Sequence, residues 1–328
     1  MLRFREFMRR SMKTVVLCIV FLAPTIVGAQ APNLPTISFA TVEQGRAVLT
    51  NRDEFVSRLS PFDRAARMKT DHDVTEQQYL AFVAKNVLEW TPHEKDAVQS
   101  AFDELAAKLS ELNLPFPKTI LFIKTTGDEE GHAEYTRANA IILPQSALAA
   151  NRSSALRGTI AHELFHVLSR NAPELRERAY AVIGFQPCGE VPFPPALAAR
   201  KITNPDAPKN DHCIRVLSGR TSIWAVPILF SKSDHYNPAN GGEFFDYLDF
   251  EFLVVEKSGS HATYDPSQVT LLHVGEIQGF YEQVGRNTNY IIHPEEILAD
   301  NFEYLLIGKP NLPSPDIQRS LAAALRSQ

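Results

Sequence analysis

His162-Glu163-Leu164-Phe165-His166 sets two imidazoles four positions apart with a carboxylate between them. On a helix, residues four apart lie on one face, so both rings can reach a single metal ion. Zn²⁺ accepts such nitrogens at roughly 2.0 to 2.1 Å. Glu163 turns toward the same cleft but cannot ligate beside both rings. Its expected role is that of a general base, taking a proton from a water on the metal. A catalytic zinc usually has three protein ligands and one open position. The continuing helix does not supply the third, because Ser169 and Ala172 stand where a glycine and a further histidine would extend the motif. A glutamate from a separate helix is the other solution, with an aspartate one turn on to hold the outer nitrogen of a ligand histidine. Of all glutamates in the chain, only Glu296 is followed four residues later by an aspartate, Asp300. Glu295 lies about 100° around the helix from Glu296, and its expected role is a charge serving the helix N-terminus.

The two segments together resemble the zincin metallopeptidases, in the gluzincin form that joins HExxH to a downstream ExxxD glutamate. The resemblance covers mainly Lys118 to Arg170 and Tyr290 to Ile307. It implies His162, His166 and Glu296 as Zn²⁺ ligands, Glu163 as the general base and Asp300 as the partner of His162. It also implies an edge strand before the active helix, to which an extended peptide adds as a further strand; Ala138 to Leu143 is the candidate. A tyrosine or histidine that stabilises the oxyanion is a further implication, with Tyr290 as candidate and His293 or Tyr281 as alternatives. The activity implied is peptide-bond hydrolysis, with a peptide or protein as partner. Two other readings compete. One is an exported, non-catalytic zinc-binding protein, which would need a closing fourth ligand. The other is a di-iron carboxylate protein using Glu163 to His166 and Glu129-Glu130-Gly131-His132 as paired ExxH motifs, although the second lies in a Gly-flanked turn.

The elements that must position these groups give an α+β class. The expectation is a zincin-like core, a small sheet packed on the HExxH helix, with an N-terminal helical layer and a β-rich insertion. Ser153 to Arg170 reads as a helix whose Leu156, Ile160, Leu164 and Leu168 form a core row opposite the histidines. A second helix starts at Pro294 and ends before Gly308. Thr119 to Lys124 and Ala138 to Leu143 read as strands. Before them, Ser60-Pro61 opens one helix, Thr75 to Trp90 forms another, and Thr91-Pro92 begins a third with a capping box. After the active helix come a helix over Ala172 to Ile183, a long loop over Cys188 to Asn210, and strands over Thr221 to Phe230, Phe244 to Glu256 and Thr270 to Val284. Residues 30–117 form the mainly helical region, and 118–328 the zincin-like domain, with the insertion at about 185–290.

The chain has 328 residues, 44% hydrophobic and 22% charged, which excludes a disordered chain, a collagen or a disulfide miniprotein. Net charge is −5 with no basic block beyond the first 13 residues, so a nucleic-acid partner has no electrostatic footprint. Those residues begin a segment, 1–29, that reads as a secretory signal peptide. Arg3, Arg5, Arg9, Arg10 and Lys13 form a basic start, Val15 to Val27 is an apolar run, and Val27-Gly28-Ala29 offers a cleavage site. The expected location is secreted or periplasmic, with no membrane span after cleavage. That segment carries a net +4, so the remainder would stand at −9. Cys18 leaves with the signal, and the remaining Cys188 and Cys213 are expected to form a disulfide.

Overall fold

Threonine and serine caps open the first helices. The structure, a computed structural model, describes residues 34–149 and 153–326; the expected signal peptide and Cys18 lie outside the described residues. After strand β1 (Thr36–Phe39), Thr41, Ser60, Thr75 and Thr91 each form a capping box. They start α1 (Val42–Leu49), α2 (Pro61–Arg67), α3 (Glu76–Asn86) and α4 (Pro92–Leu112), satisfying N–H groups that the helices cannot bond internally. α3 stops short of the expected Trp90, because β-branched Val87 leaves with Leu88 as strand β2 (Val87–Leu88).

The chain then builds β3 (Thr119–Thr125), β4 (Tyr135–Arg137) and β5 (Ala140–Pro144), which join β1 in the order β1-β3-β5-β4. The first three pairings along that order are parallel, parallel and antiparallel, and β2 pairs antiparallel with β3. β5 is buried along its whole length, as an interior strand covered on both faces must be. This corrects the edge-strand expectation. Ala138 to Leu143 does not form an edge; β5 is paired on both sides, and the edge strand beside it is β4. A two-residue turn at Ala138-Asn139 separates the two strands, with Ala138 at φ +52°. An alanine in that conformation gives no turn signal in the sequence.

Helix α5 (Ser153–Asn171) follows and buries Leu156, Ile160, Leu164 and Leu168. It packs on α4 and on α9 (Pro294–Ile307), where the Phe165 and Phe302 rings meet at 5.7 Å. Between them in sequence lie α6 (Pro173–Val182) and a second, wholly antiparallel sheet. Its strands are β6 (Phe185–Pro187), β7 (His212–Ser218), β8 (Thr221–Ser231), β9 (Leu248–Ser258) and β10 (His261–Thr263), ordered β10-β9-β8-β7-β6, with β11 (Leu271–Leu272) on β9. Two expected strands start or end differently. Phe244 to Tyr247 is a helical turn, α7 (Phe244–Tyr247), before β9. Thr270 to Val284 yields β11, a 3-10 turn at Val274–Glu276 and then α8 (Phe280–Val284), where Phe280 and Val284 bury one face at a spacing of four. α10 (Pro315–Arg326) closes the chain. Cys188 and Cys213, expected as a disulfide, are neighbouring buried free thiols in this structure. Among the described residues no helix is long and apolar enough to cross a membrane.

Candidate metal centre

Two helices carry the site. On α5 the histidines project from the face opposite the buried leucine row. On α9, His293 caps the first turn by accepting the Glu295 N–H at Nδ1, 3.1 Å, and Pro294 occupies the first helical position. The helices cross so that one oxygen, Glu296 Oε2, lies 3.2 Å from His162 Nε2 and 3.5 Å from His166 Nε2. The two imidazole planes are nearly perpendicular, at 77°, with centroids 4.8 Å apart. The donor atoms of His162, His166 and Glu296 all lie within 4.8 Å of one another.

Each ring is held from behind by a carboxylate. His162 Nδ1 lies 2.9 Å from Asp300 Oδ1, and Asp300 also accepts from the Thr288 hydroxyl. His166 Nδ1 lies 3.0 Å from Glu295 Oε1. Glu295 further accepts from the Ser169 hydroxyl and, at 2.5 Å, from the Tyr180 hydroxyl. Its expected role as a helix-end charge is therefore wrong: it is 1% exposed and serves His166 as Asp300 serves His162. The two histidines sit a turn apart, so adjacent positions on the crossing helix face an inner and an outer nitrogen.

Burial and neighbouring charge act against each other here. Burial disfavours a charged His162, but Asp300 and Glu296 outweigh it and push the ring up to about 10. His166 is likewise raised well above its usual value, burial being overcome by Asp206, Glu296 and Glu295. Glu296 is held well below the usual carboxylate range, despite burial, by the two imidazoliums. Glu163 goes the other way, raised to about 8 by burial and then by Asp206.

The residues fit a divalent cation. His166 Nε2 and Glu163 Oε2 are buried without a hydrogen-bond partner, a rare state for polar atoms in a folded interior. A cation between the two Nε2 atoms and Glu296 Oε2 would engage the first, leaving Glu163 beside it and free of the ligand set. The protons that the carboxylates now hold on the imidazoles would be displaced by such an ion.

A cleft of about 470 Å³ opens onto this point, lined by His162, Glu163, Asp206, Tyr290 and Glu296. Tyr290 is partly exposed, and its ring stacks on His162 at 6.4 Å and 24°. The two alternatives to it are engaged elsewhere: His293 caps α9, and Tyr281 packs on Phe280 and Arg286. Of the second ExxH stretch, Glu130 pairs with Arg67 at 2.6 Å and Glu129 accepts from Tyr135. Sequence reasoning missed Asp206, which arrives from the long connection between β6 and β7. Its carboxylate lies within 4.8 Å of donor atoms of Glu163 and His166. Only the turn-forming Asn204-Pro205-Asp206 marks that place in the sequence, and it says nothing of a site.

No protein-family model, no curated protein and no solved structure matches the chain, so the centre is read on its own chemistry.

Proposed function

We propose that the protein is an exported zinc metallohydrolase that cleaves peptide bonds, built on a zincin-like core of gluzincin type. One observation carries the reading: Glu296 Oε2 faces both Nε2 atoms, each outer nitrogen is held by a carboxylate, and Glu163 stands alongside with an unpartnered oxygen. Two nitrogens and one carboxylate oxygen form a donor set that suits Zn²⁺ and leaves a position open. Zinc held there by His162, His166 and Glu296 would polarise a carbonyl and lower the pKa of water to about 7. Glu163 takes the proton of the attacking water at Oε2 and delivers it to the departing amine. Asp300 and Glu295 fix both tautomers so that the Nε2 lone pairs face the ion. Tyr290, at the cleft rim, is the donor for the developing oxyanion. An extended peptide would pair along β4, the edge of the first sheet. Export follows from the signal-like residues 1–29, and the oxidising compartment would join Cys188 to Cys213.

Asp206 favours a second reading, a closed non-catalytic zinc site, since its carboxylate could supply a fourth donor. Digestion of an unbiased peptide library with mature protein decides between them. The hydrolase reading expects chelator-sensitive cleavage restored by zinc, in the wild type or in Asp206→Asn; zinc-loaded protein that cleaves nothing in either form supports the closed site.

A further inference from the structure

We infer that Asp206 is a fourth metal donor, and that the strap Thr203 to Lys209 closes both the metal position and the peptide-pairing edge in this form of the protein; this rests on the metallohydrolase reading. The same carboxylate does both. One of its oxygens lies within 4.8 Å of donor atoms of His166 and Glu163, the two groups whose buried Nε2 and Oε2 make no hydrogen bond. Its Oδ1 accepts from the Thr136 backbone N–H at 2.7 Å and from the Thr136 hydroxyl at 2.6 Å. Thr136 is the middle residue of β4. Paired residues in an antiparallel ladder alternate between facing the partner and facing away, and this N–H is turned out to the strap. A substrate strand would need that donor.

Neighbouring contacts hold the strap in the groove. Asn204 donates to Glu296 Oε1 at 2.6 Å, and its own side-chain oxygen accepts the Asp206 N–H at 2.9 Å. Arg170 donates to the Thr136 hydroxyl, to the Ala138 carbonyl and to the Asp206 carbonyl, tying β4 and strap together. Asp206 lines the 470 Å³ cleft and also a 450 Å³ cavity on its other flank, bordered by Arg137, Arg170, Arg176 and Tyr180. With the strap displaced, the two spaces would join along β4 into a groove long enough for a peptide on both sides of the metal.

Both ends of the strap are anchored. At one end Thr203 donates to Asp63, and Arg67 donates to the Thr203 carbonyl. The Asp63–Arg67 pair is fully buried. At the other end Lys209 meets Glu54 at 2.5 Å on the surface, a pair worth little in water. Directly beyond Lys209 the Asn210 carbonyl accepts the Val191 N–H at 2.9 Å and the Asp211 carbonyl accepts the Cys188 N–H at 2.8 Å, so the strap is a loop fixed at both ends whose middle, around Asp206, is the part that moves.

Cobalt-substituted protein tests this without relying on turnover. Azide is added to cobalt-loaded wild type, Asp206→Ala and Asp206→Asn, and the visible absorption of the ion is followed. Azide should bind both variants at least about tenfold more tightly than wild type, because the closed strap lowers the competent fraction. Asp206→Asn keeps an acceptor for the Thr136 N–H, so it remains decisive if the alanine variant does not fold. Wild type that binds cobalt and takes azide as readily as Asp206→Asn overturns the strap and leaves the metal reading standing. Wild type that binds neither cobalt nor zinc overturns the metal reading itself.

Discussion

Replacing Glu295 with alanine would remove a side chain that touches nothing outside the protein, yet the metal should notice. The carboxylate accepts from His166 Nδ1 at 3.0 Å, from Tyr180 at 2.5 Å and from Ser169. All three donors are buried, so alanine leaves them without partners and too far inside for ready hydration. An orphaned buried donor costs about 1 to 3 kcal/mol, and removing one partner of a buried charged pair about 3 to 5 kcal/mol. Because the three share one acceptor, their costs do not simply add, and a loss of about 3 to 5 kcal/mol is expected. That is a large part of the roughly 5 to 15 kcal/mol that holds a domain folded. Glu295→Gln keeps the shape and separates the metal effect from the folding effect. It removes the charge behind His166 and should weaken zinc binding about 10- to 100-fold. Urea unfolding of metal-free protein reads the first quantity, and competition with a chromophoric chelator reads the second. A loss below about 1 kcal/mol in Glu295→Ala, together with unchanged zinc affinity in Glu295→Gln, would refute the role assigned to this residue.

Glu296→Ala should strip zinc affinity far more severely than either outer carboxylate, while Asp300→Ala should weaken it about 10- to 100-fold, as read by the same competition assay. Zinc uptake near neutral pH should release about two protons, one from each ligand imidazole, measurable by calorimetry in buffers of different ionisation enthalpy. The sign follows from His162, raised from 6.5 to about 10 in the metal-free fold. The stability this gives is complete below 6.5 and fades as pH climbs toward 10, and zinc affinity should rise across the same window. Exported protein should show Cys188 joined to Cys213 on non-reducing peptide mapping, and reduction should cost about 3 kcal/mol for a loop of about 25 residues. Two free thiols in such material would contradict that pairing.

The parts of the site legible in the sequence were those set by short-range rules. A four-residue spacing puts His162 with His166 and Glu296 with Asp300, each on one helix face. Pro294 and Gly308 mark where α9 starts and stops. Partners set by tertiary crossing were not legible. Glu295 reads as a surface charge until α5 and α6 bring Ser169 and Tyr180 to it from 126 and 115 positions away. Ser169 itself reads only as a departure from an extended histidine motif. Asp206 lies in an irregular connection, where no periodicity links residue type to position. Local backbone choices misled as well: Ala138 turns the chain with a positive φ that its side chain does not advertise. Residues around Phe280 are apolar and aromatic enough to pass for strand, and only the spacing to Val284 speaks for a helix.

The central claim is that Glu163 is the base beside a bound zinc, separate from the ligands that hold it. Glu163→Gln tests that most directly, because the amide preserves size and removes the proton acceptor. Wild type and variant are each loaded with zinc, their metal content is measured, and turnover is compared on a peptide that the wild type cleaves. About one zinc is expected in both proteins, with a fall in turnover of roughly 10²- to 10⁴-fold in the variant. Equal zinc content with wild-type turnover would contradict the claim.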